Sequence, residues 1–455
     1  MALQTSSLEK LAGQLRDKTL TITQLVAHAA EQHANADHDA YVTWDGERAL
    51  AVAASLDRLL HQGYDTGALM GIPCSVKDLY GVPGLSTYAG TNEAFDEKWS
   101  KAGPVVSSVM KQGGIISGKT HTVELAFGGI GINDHWPTPK NPWGGGGRIP
   151  GGSSSGAGVS LCEGSALVAL GTDTAGSVRI PASVTGNVGL KLTQGRWSTA
   201  NIVPLSSSFD TPGILCRTVE DVRYAFNAID PLSEGRNKNV QVSGIRLGVL
   251  GGLAAEGVDT DIANLVSAAL HKIESQGAHL SQAQISNDTA AIDLFRQGGL
   301  AASELAAFLS AHYPQKIVKL APIVRSRVDA ANGLSAVDYV RRKNDFMRMG
   351  AETVVEMASV DFLVCATIAI SPPELAALSE PEQYAKANMA TLRNTALANL
   401  LGLCSITLPI GLDRNGMPVG LMLMGRPFDE ERLINAALAI EKTIGTGAQL
   451  LGSPQ

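Results

Sequence analysis

The feature that most limits what this chain can fold into is its glycine between residues 66 and 220. Glycine stands in Gly144-Gly145-Gly146-Gly147, in Gly151-Gly152-Ser153-Ser154-Ser155-Gly156 and in Gly171-Thr172-Asp173-Thr174-Ala175-Gly176-Ser177. Stretches this rich in glycine turn sharply or bring backbone close to a ligand, and they do not fill helix or strand interiors. Upstream of them lie short β-prone runs at 71–77 and 114–117. The segment therefore reads as strands joined by tight loops, and the chemistry is expected between residues 70 and 220.

The flanks are plainer. Leu8, Leu11, Leu15, Leu20 and Leu25 recur at helical spacing, residues 49–60 repeat the pattern, and Thr21 with Gln24 reads as a capping box. Residues 1–65 are thus N-terminal helices and 66–230 a catalytic core. Residues 231–243 read as a polar connector before a strand at 245–250. The rest of the core, 231–455, contains a variable, mostly helical region at 255–390. It closes with strand-like runs at 362–367, 405–409 and 419–424 and a helix from about Asp429. Strands alternating with helices predict an α/β sheet protein, taken as one domain over 1–455. Hydrophobic residues at 44% allow a sizeable core.

A net charge of −7 argues against a nucleic-acid or anionic-membrane partner. No apolar run approaches the ~20 residues that span a bilayer, and the first residues do not read as a signal peptide. A cytoplasmic protein is expected. Cys74, Cys162, Cys216, Cys365 and Cys404 are odd in number and far apart, without CxxC, so reduced, buried thiols are expected rather than disulfides or a zinc ribbon.

Three motif matches lack their structural context. Gly113-Gly-Ile-Ile-Ser-Gly-Lys119-Thr120 fits the phosphate-loop pattern, but such a loop follows a strand, whereas residues 105–112 read as helix and Ile115-Ile116 as strand. Gly152-Ser153-Ser154-Ser155-Gly156 fits the nucleophile elbow centred on Ser154. No strand can precede it, and His271, His279 and His312 lie in helix-like stretches. His28, His33 and His38 form no HExxH and read as solvated helix-face histidines.

Amide hydrolysis needs an activated nucleophile, a proton donor for the leaving amine and donors for the oxyanion. Ser177 ends a small-residue turn whose backbone N–H groups can converge on one point. Lys77 leaves an apolar strand, Ile72-Pro-Cys-Ser-Val76, where desolvation lowers its pKa; the plain alternative is an ion pair with Asp78. Ser153 can both donate and accept, and so relay a proton between Lys77 and Ser177.

Together these segments resemble the amidase signature family. Gly151-Gly-Ser-Ser-Ser-Gly156 and Gly171-Thr-Asp-Thr-Ala-Gly-Ser-Val-Arg-Ile-Pro-Ala182 match its signature, with Ser153 and Ser177 24 residues apart. Gly71 to Asp78, Gly118 to Ala126, Asn187 to Lys191, Arg217 to Asp221, Asn399 to Gly402, Leu408 to Gly411 and Gly425 to Phe428 extend the likeness, loosely matched only over 255–390. The resemblance implies a large mixed central β-sheet flanked by helices on both faces, with no metal or organic cofactor. It makes Ser177 the nucleophile, Ser153 the bridging serine after a cis peptide, and Lys77 the base. The backbone N–H groups of Thr174, Ala175, Gly176 and Ser177 become the oxyanion hole, with Ser154, Asp173 and Arg179 as support. The substrate is then a small-molecule amide, or alternatively a carbamate or urea-type compound (urethane, allophanate, biuret-like). A homodimer is left open. Ala175 and Ser155 stand where glycine is frequent, as in the allophanate-hydrolase branch. Ile180 stands where tRNA-amidotransferase subunits carry glutamine, which argues against a tRNA role.

Overall fold

A computed structural model describes residues 6–233 and 240–454. Eleven strands form one mixed sheet: β1 (Tyr41–Trp44), β2 (Pro73–Lys77), β3 (Ile115–Thr120), β4 (Val168–Asp173), β5 (Val188–Lys191), β6 (Thr211–Cys216), β7 (Arg246–Leu250), β8 (His279–Ala283), β9 (Phe362–Ala366), β10 (Cys404–Leu412) and β11 (Pro418–Gly425). Their order is β1-β3-β2-β4-β6-β5-β10-β11-β9-β7-β8. The helices are α1 (Leu8–Arg16), α2 (Ile22–Asn35), α3 (Gly46–His61), α4 (Pro104–Lys111), α5 (Ser155–Glu163), α6 (Arg179–Val184), α7 (Val219–Ile229), α8 (Thr260–Ser275), α9 (Asp288–Arg296), α10 (Ala301–His312), α11 (Pro314–Ile317), α12 (Pro322–Ala330), α13 (Ala336–Glu356), α14 (Pro381–Leu400), α15 (Glu430–Ile444) and α16 (Gly447–Leu451).

Alternation along β4 explains why helices cover both faces. Val168 and Leu170 pack with Val222 and Phe226 of α7, whereas Ala169 packs with Ala157 and Leu161 of α5 and Ala182 of α6. Successive side chains of a strand point to opposite faces, so each face needs its own helical cover. Parallel pairing fixes the site. β2 runs parallel to both β3 and β4, with Val76 opposite Leu170. Each parallel step requires a crossover, supplied by α4 and by α5. The C-terminal ends of β2 and β4, Lys77 and Asp173, therefore emerge side by side.

Several expectations hold. Leu8, Leu11 and Leu15 are buried along α1, and Thr21 and Gln24 exchange both capping-box hydrogen bonds at 3.0 and 3.1 Å. The connector read at 231–243 falls partly outside the described residues. Five strands, β1, β4, β5, β6 and β8, were not read as strands from the sequence. β1 interrupts the N-terminal helices, and β8, a short edge strand with no fully buried residue, lies inside the stretch read as helical. His279 accordingly opens β8 rather than sitting in a helix. His33 and His38 are only partly solvated, with side chains 27% and 32% exposed: their Nδ1 atoms face the buried Glu163 at 3.8 and 3.6 Å, and the His33 ring packs 4.1 Å from Trp44. The polar partner lies on α5, more than 120 residues away, beyond any local pattern. All five cysteines are free thiols. Among the described residues no helix is long and apolar enough to cross a membrane.

Candidate active site

Lys77 ends β2 with its side chain wholly buried. Its Nζ lies 2.7 Å from Ser153 Oγ and 2.9 Å from Thr172 Oγ1. Burial pushes its pKa down to about 7, against the opposing pull of Asp210 and Asp173. The ion pair with Asp78 does not form. Asp78 instead meets Lys119 at 2.8 Å, both side chains fully buried. Lys119 therefore belongs to β3 and to an ion pair, not to a phosphate loop. Lys119→Ala should cost about 3–5 kcal/mol of stability by stranding the Asp78 charge. A denaturant melt measures that cost, and no ATP hydrolysis should be detectable in either protein.

Ser153 follows a cis Gly152–Ser153 peptide. Ser154 Oγ donates to Thr172 O at 3.3 Å, and its backbone N–H donates to Ser177 O at 3.2 Å, which ties the Gly/Ser loop to the turn after β4. Ser154 is fully buried, and among the described residues no histidine lines the cavity beside Ser177, so the elbow reading lacks its base. Ser155 Oγ lies 2.7 Å from Nδ1 of His121, whose pKa burial lowers to about 3. This departure from glycine thus serves a buried polar contact.

The turn after β4 is held by Asp173. Its Oδ1 accepts from Gly176 N–H (2.7 Å), Arg179 Nη2 (3.0 Å) and Asn399 Nδ2 (2.9 Å), and its Oδ2 from Val178 N–H (3.1 Å) and Arg179 Nε (3.0 Å). Burial alone would raise this carboxyl, but Arg179 beside it and the hydrogen bonds it accepts hold it at about 2. Arg179 is itself buried and donates to Asn399 Oδ1 at 2.7 Å. One expected oxyanion donor is thereby removed: the Gly176 N–H is committed to Asp173, leaving Thr174, Ala175 and Ser177. Glycine is required at 176, where φ is 135° and a Cβ would stand 2.1 Å from Thr395 Oγ1. Ala175 has no positive φ, so glycine is dispensable there.

Ser177 opens on a cavity of about 550 Å³ whose walls also include Thr174, Ala175, Phe127 and residues from α9, α10, α12 and α14. Among the described residues its Oγ has no hydrogen bond to Ser153 in this resting state, so only the Lys77–Ser153 half of the expected relay is formed. Asp210 was missed by sequence reasoning. It accepts from Thr174 Oγ1 at 2.6 Å and from the Leu205 and Ser206 N–H groups at 2.9 Å, and burial raises its pKa to about 6. No group of three or more His, Cys, Asp or Glu with metal-holding geometry occurs among the described residues.

A sequence model of the amidase family matches residues 22–434. A 2-amino-5-chloromuconic acid deaminase of Comamonas testosteroni is 53% identical over 453 residues, 98% of this chain and 98% of that protein. A glutamyl-tRNA(Gln) amidotransferase chain of Parvibaculum lavamentivorans is 28% identical over 467 residues, 94% of each chain. A crystal structure of an amidase superposes with a TM-score of 0.89 at 26% identity, covering 97% of this chain and 100% of the other. A peptide amidase bound to chymostatin, at 24% identity and a TM-score of 0.83 over 99% of each chain, shares the fold.

Proposed function

This chain belongs to the amidase signature family of C–N hydrolases, and we propose that it works through a Ser177 acyl-enzyme with a Ser153–Lys77 proton relay. The observation that carries the reading is Lys77 Nζ, buried with no carboxylate ion-pair partner among the described residues, 2.7 Å from Ser153 Oγ and with a pKa of about 7. A lysine so placed is half neutral at neutral pH and can accept a proton. Ser177 attacks the carbonyl carbon. Its proton passes to Ser153, whose own proton passes to Lys77. The link from Ser177 to Ser153 closes as substrate binds, since such contacts tighten in the reacting complex. The N–H groups of Thr174, Ala175 and Ser177 stabilise the oxyanion. Lys77 returns its proton through Ser153 to the departing nitrogen, and water then hydrolyses the ester along the same relay. Asp173, Arg179 and Asn399 hold the turn, and Ser154 holds the loop.

The relative named as a deaminase, at 53% identity, favours ammonia as the leaving group over a larger amine. Carbamates and urea-type compounds present the same attack geometry and remain alternative substrates. Ammonia and amine release should be measured across primary amides, diacid monoamides, aryl amides, carbamates, biuret-like compounds and amino-substituted unsaturated diacids. Release from at least one class, abolished in Ser177→Ala, is expected. Release that survives Ser177→Ala contradicts the reading.

A further inference from the structure

The cavity that Ser177 opens on is lined by Arg296, Arg327 and Arg342 and, among the described residues, by no aspartate or glutamate. This is unexpected in a chain of net charge −7. Cations in a concave, partly apolar site are costly unless an anion arrives to meet them. Arg296 is exposed and already pairs with Asp293 at 3.0 Å. Arg327 and Arg342 are half-buried, and neither has an ion-pair partner among the described residues.

Both are nonetheless held in place. Arg327, on α12, lies 5.1 Å over the Phe127 ring and 6.0 Å from that of Tyr384, and donates to the Phe127 carbonyl. Arg342, on α13, donates through Nη1 to Gln297 O at 3.0 Å and Gly299 O at 3.2 Å. Backbone carbonyls and ring faces anchor a guanidinium without neutralising it. A planar fork fixed this way is preorganised for a carboxylate, which it can engage with two parallel hydrogen bonds.

We propose that Arg327 and Arg342 bind a carboxylate of the substrate, so that the C–N bond cleaved belongs to a small organic acid rather than to a neutral amide. The assignment rests on the reading of this cavity as the acyl-transfer site. Both arginines come from the 255–390 region, which carries little of the signature, and they give that region a specificity role.

The test compares a matched pair: the monoamide of a saturated C6 diacid, and the C6 primary amide that lacks the acid group. Wild-type kcat/KM should favour the acid by about 10²-fold or more, because a site built around charged donors discriminates against a ligand that leaves them unpaired. Arg327→Gln and Arg342→Gln should each shrink that ratio by at least about tenfold, through KM for the acid. Independently, calorimetry on Ser177→Ala should detect adipate binding that weakens in either arginine variant. No preference for the acid, or an equal loss on both substrates, overturns the assignment. So does adipate binding that both arginine variants retain. Two failures remain distinguishable. If the chain cleaves the neutral amide and ignores the carboxylate, this assignment alone fails. If it cleaves neither and no serine reagent labels Ser177, the acyl-transfer reading fails, and adipate binding still decides the role of the arginines.

Discussion

Ser177→Ala is expected to lower kcat by at least about 10⁴-fold, the scale on which removing a serine nucleophile acts in unrelated hydrolases. Stability should change by no more than about 1 kcal/mol, because the Ser177 hydroxyl holds no hydrogen bond among the described residues. The turn that carries it is kept by other groups: Asp173 with five donors, and Thr395 Oγ1 donating to the Ala175 carbonyl at 2.8 Å. Ammonia release read beside a thermal melt separates the two effects. An inactive variant that also melts far below wild type would assign the hydroxyl a structural role instead.

Lys77→Ala should lose a comparable share of the rate at every pH, and Lys77→Arg should not restore it, since a guanidinium stays protonated and cannot accept the Ser153 proton. On the proposed relay, the active form of the wild type carries neutral Lys77. With the pKa lowered to about 7, kcat/KM should rise about tenfold per pH unit below 7 and level off above it. Stability follows the same titration. The folded pKa lies below the unfolded value of about 10.4, so the unfolded chain holds more protons between the two. The group therefore destabilises the fold most below pH 7, and that cost fades as pH rises from about 7 towards 10.4. Lys77→Met, which removes the buried amine, should be at least as stable as wild type at pH 6 while being inactive. A destabilised Lys77→Met would mean that the lysine holds the fold together, not that it serves chemistry.

The candidate catalytic segment was legible because its information is local. Glycine at 151, 152 and 176 marks turns, whereas Gly171, read as opening a turn, lies within β4; the run before Lys77 marks a buried strand, and the phosphate-loop match at 113–120 could be set aside from the helix before it. The departures at Ala175 and Ser155 were visible as residues but not as contacts. What stayed hidden depends on distant partners. Asn399 sits 220 residues from Arg179, yet it bonds both Arg179 and Asp173, and no spacing connects them. Thr172 lay within a quoted motif, but its contact with Lys77 arises only from the parallel register of β2 and β4. Asp210 opens no motif and matters through Thr174. The Gly176 amide shows the opposite error: a convergent turn was legible, but which of its donors a neighbouring carboxylate had already taken was not. Edge strand β8, with no fully buried residue, leaves no apolar alternation to read.

The central claim, that Lys77 activates Ser177, is tested most directly by the rate at which a neutral serine-directed phosphonate labels the protein between pH 5 and 9, with the adduct mapped by mass spectrometry. The account predicts a single adduct on Ser177 whose rate of formation rises with a midpoint near pH 7, and a slow, pH-independent rate in Lys77→Arg. An adduct on Ser154, or a Lys77→Arg protein labelled as fast as wild type, would contradict it.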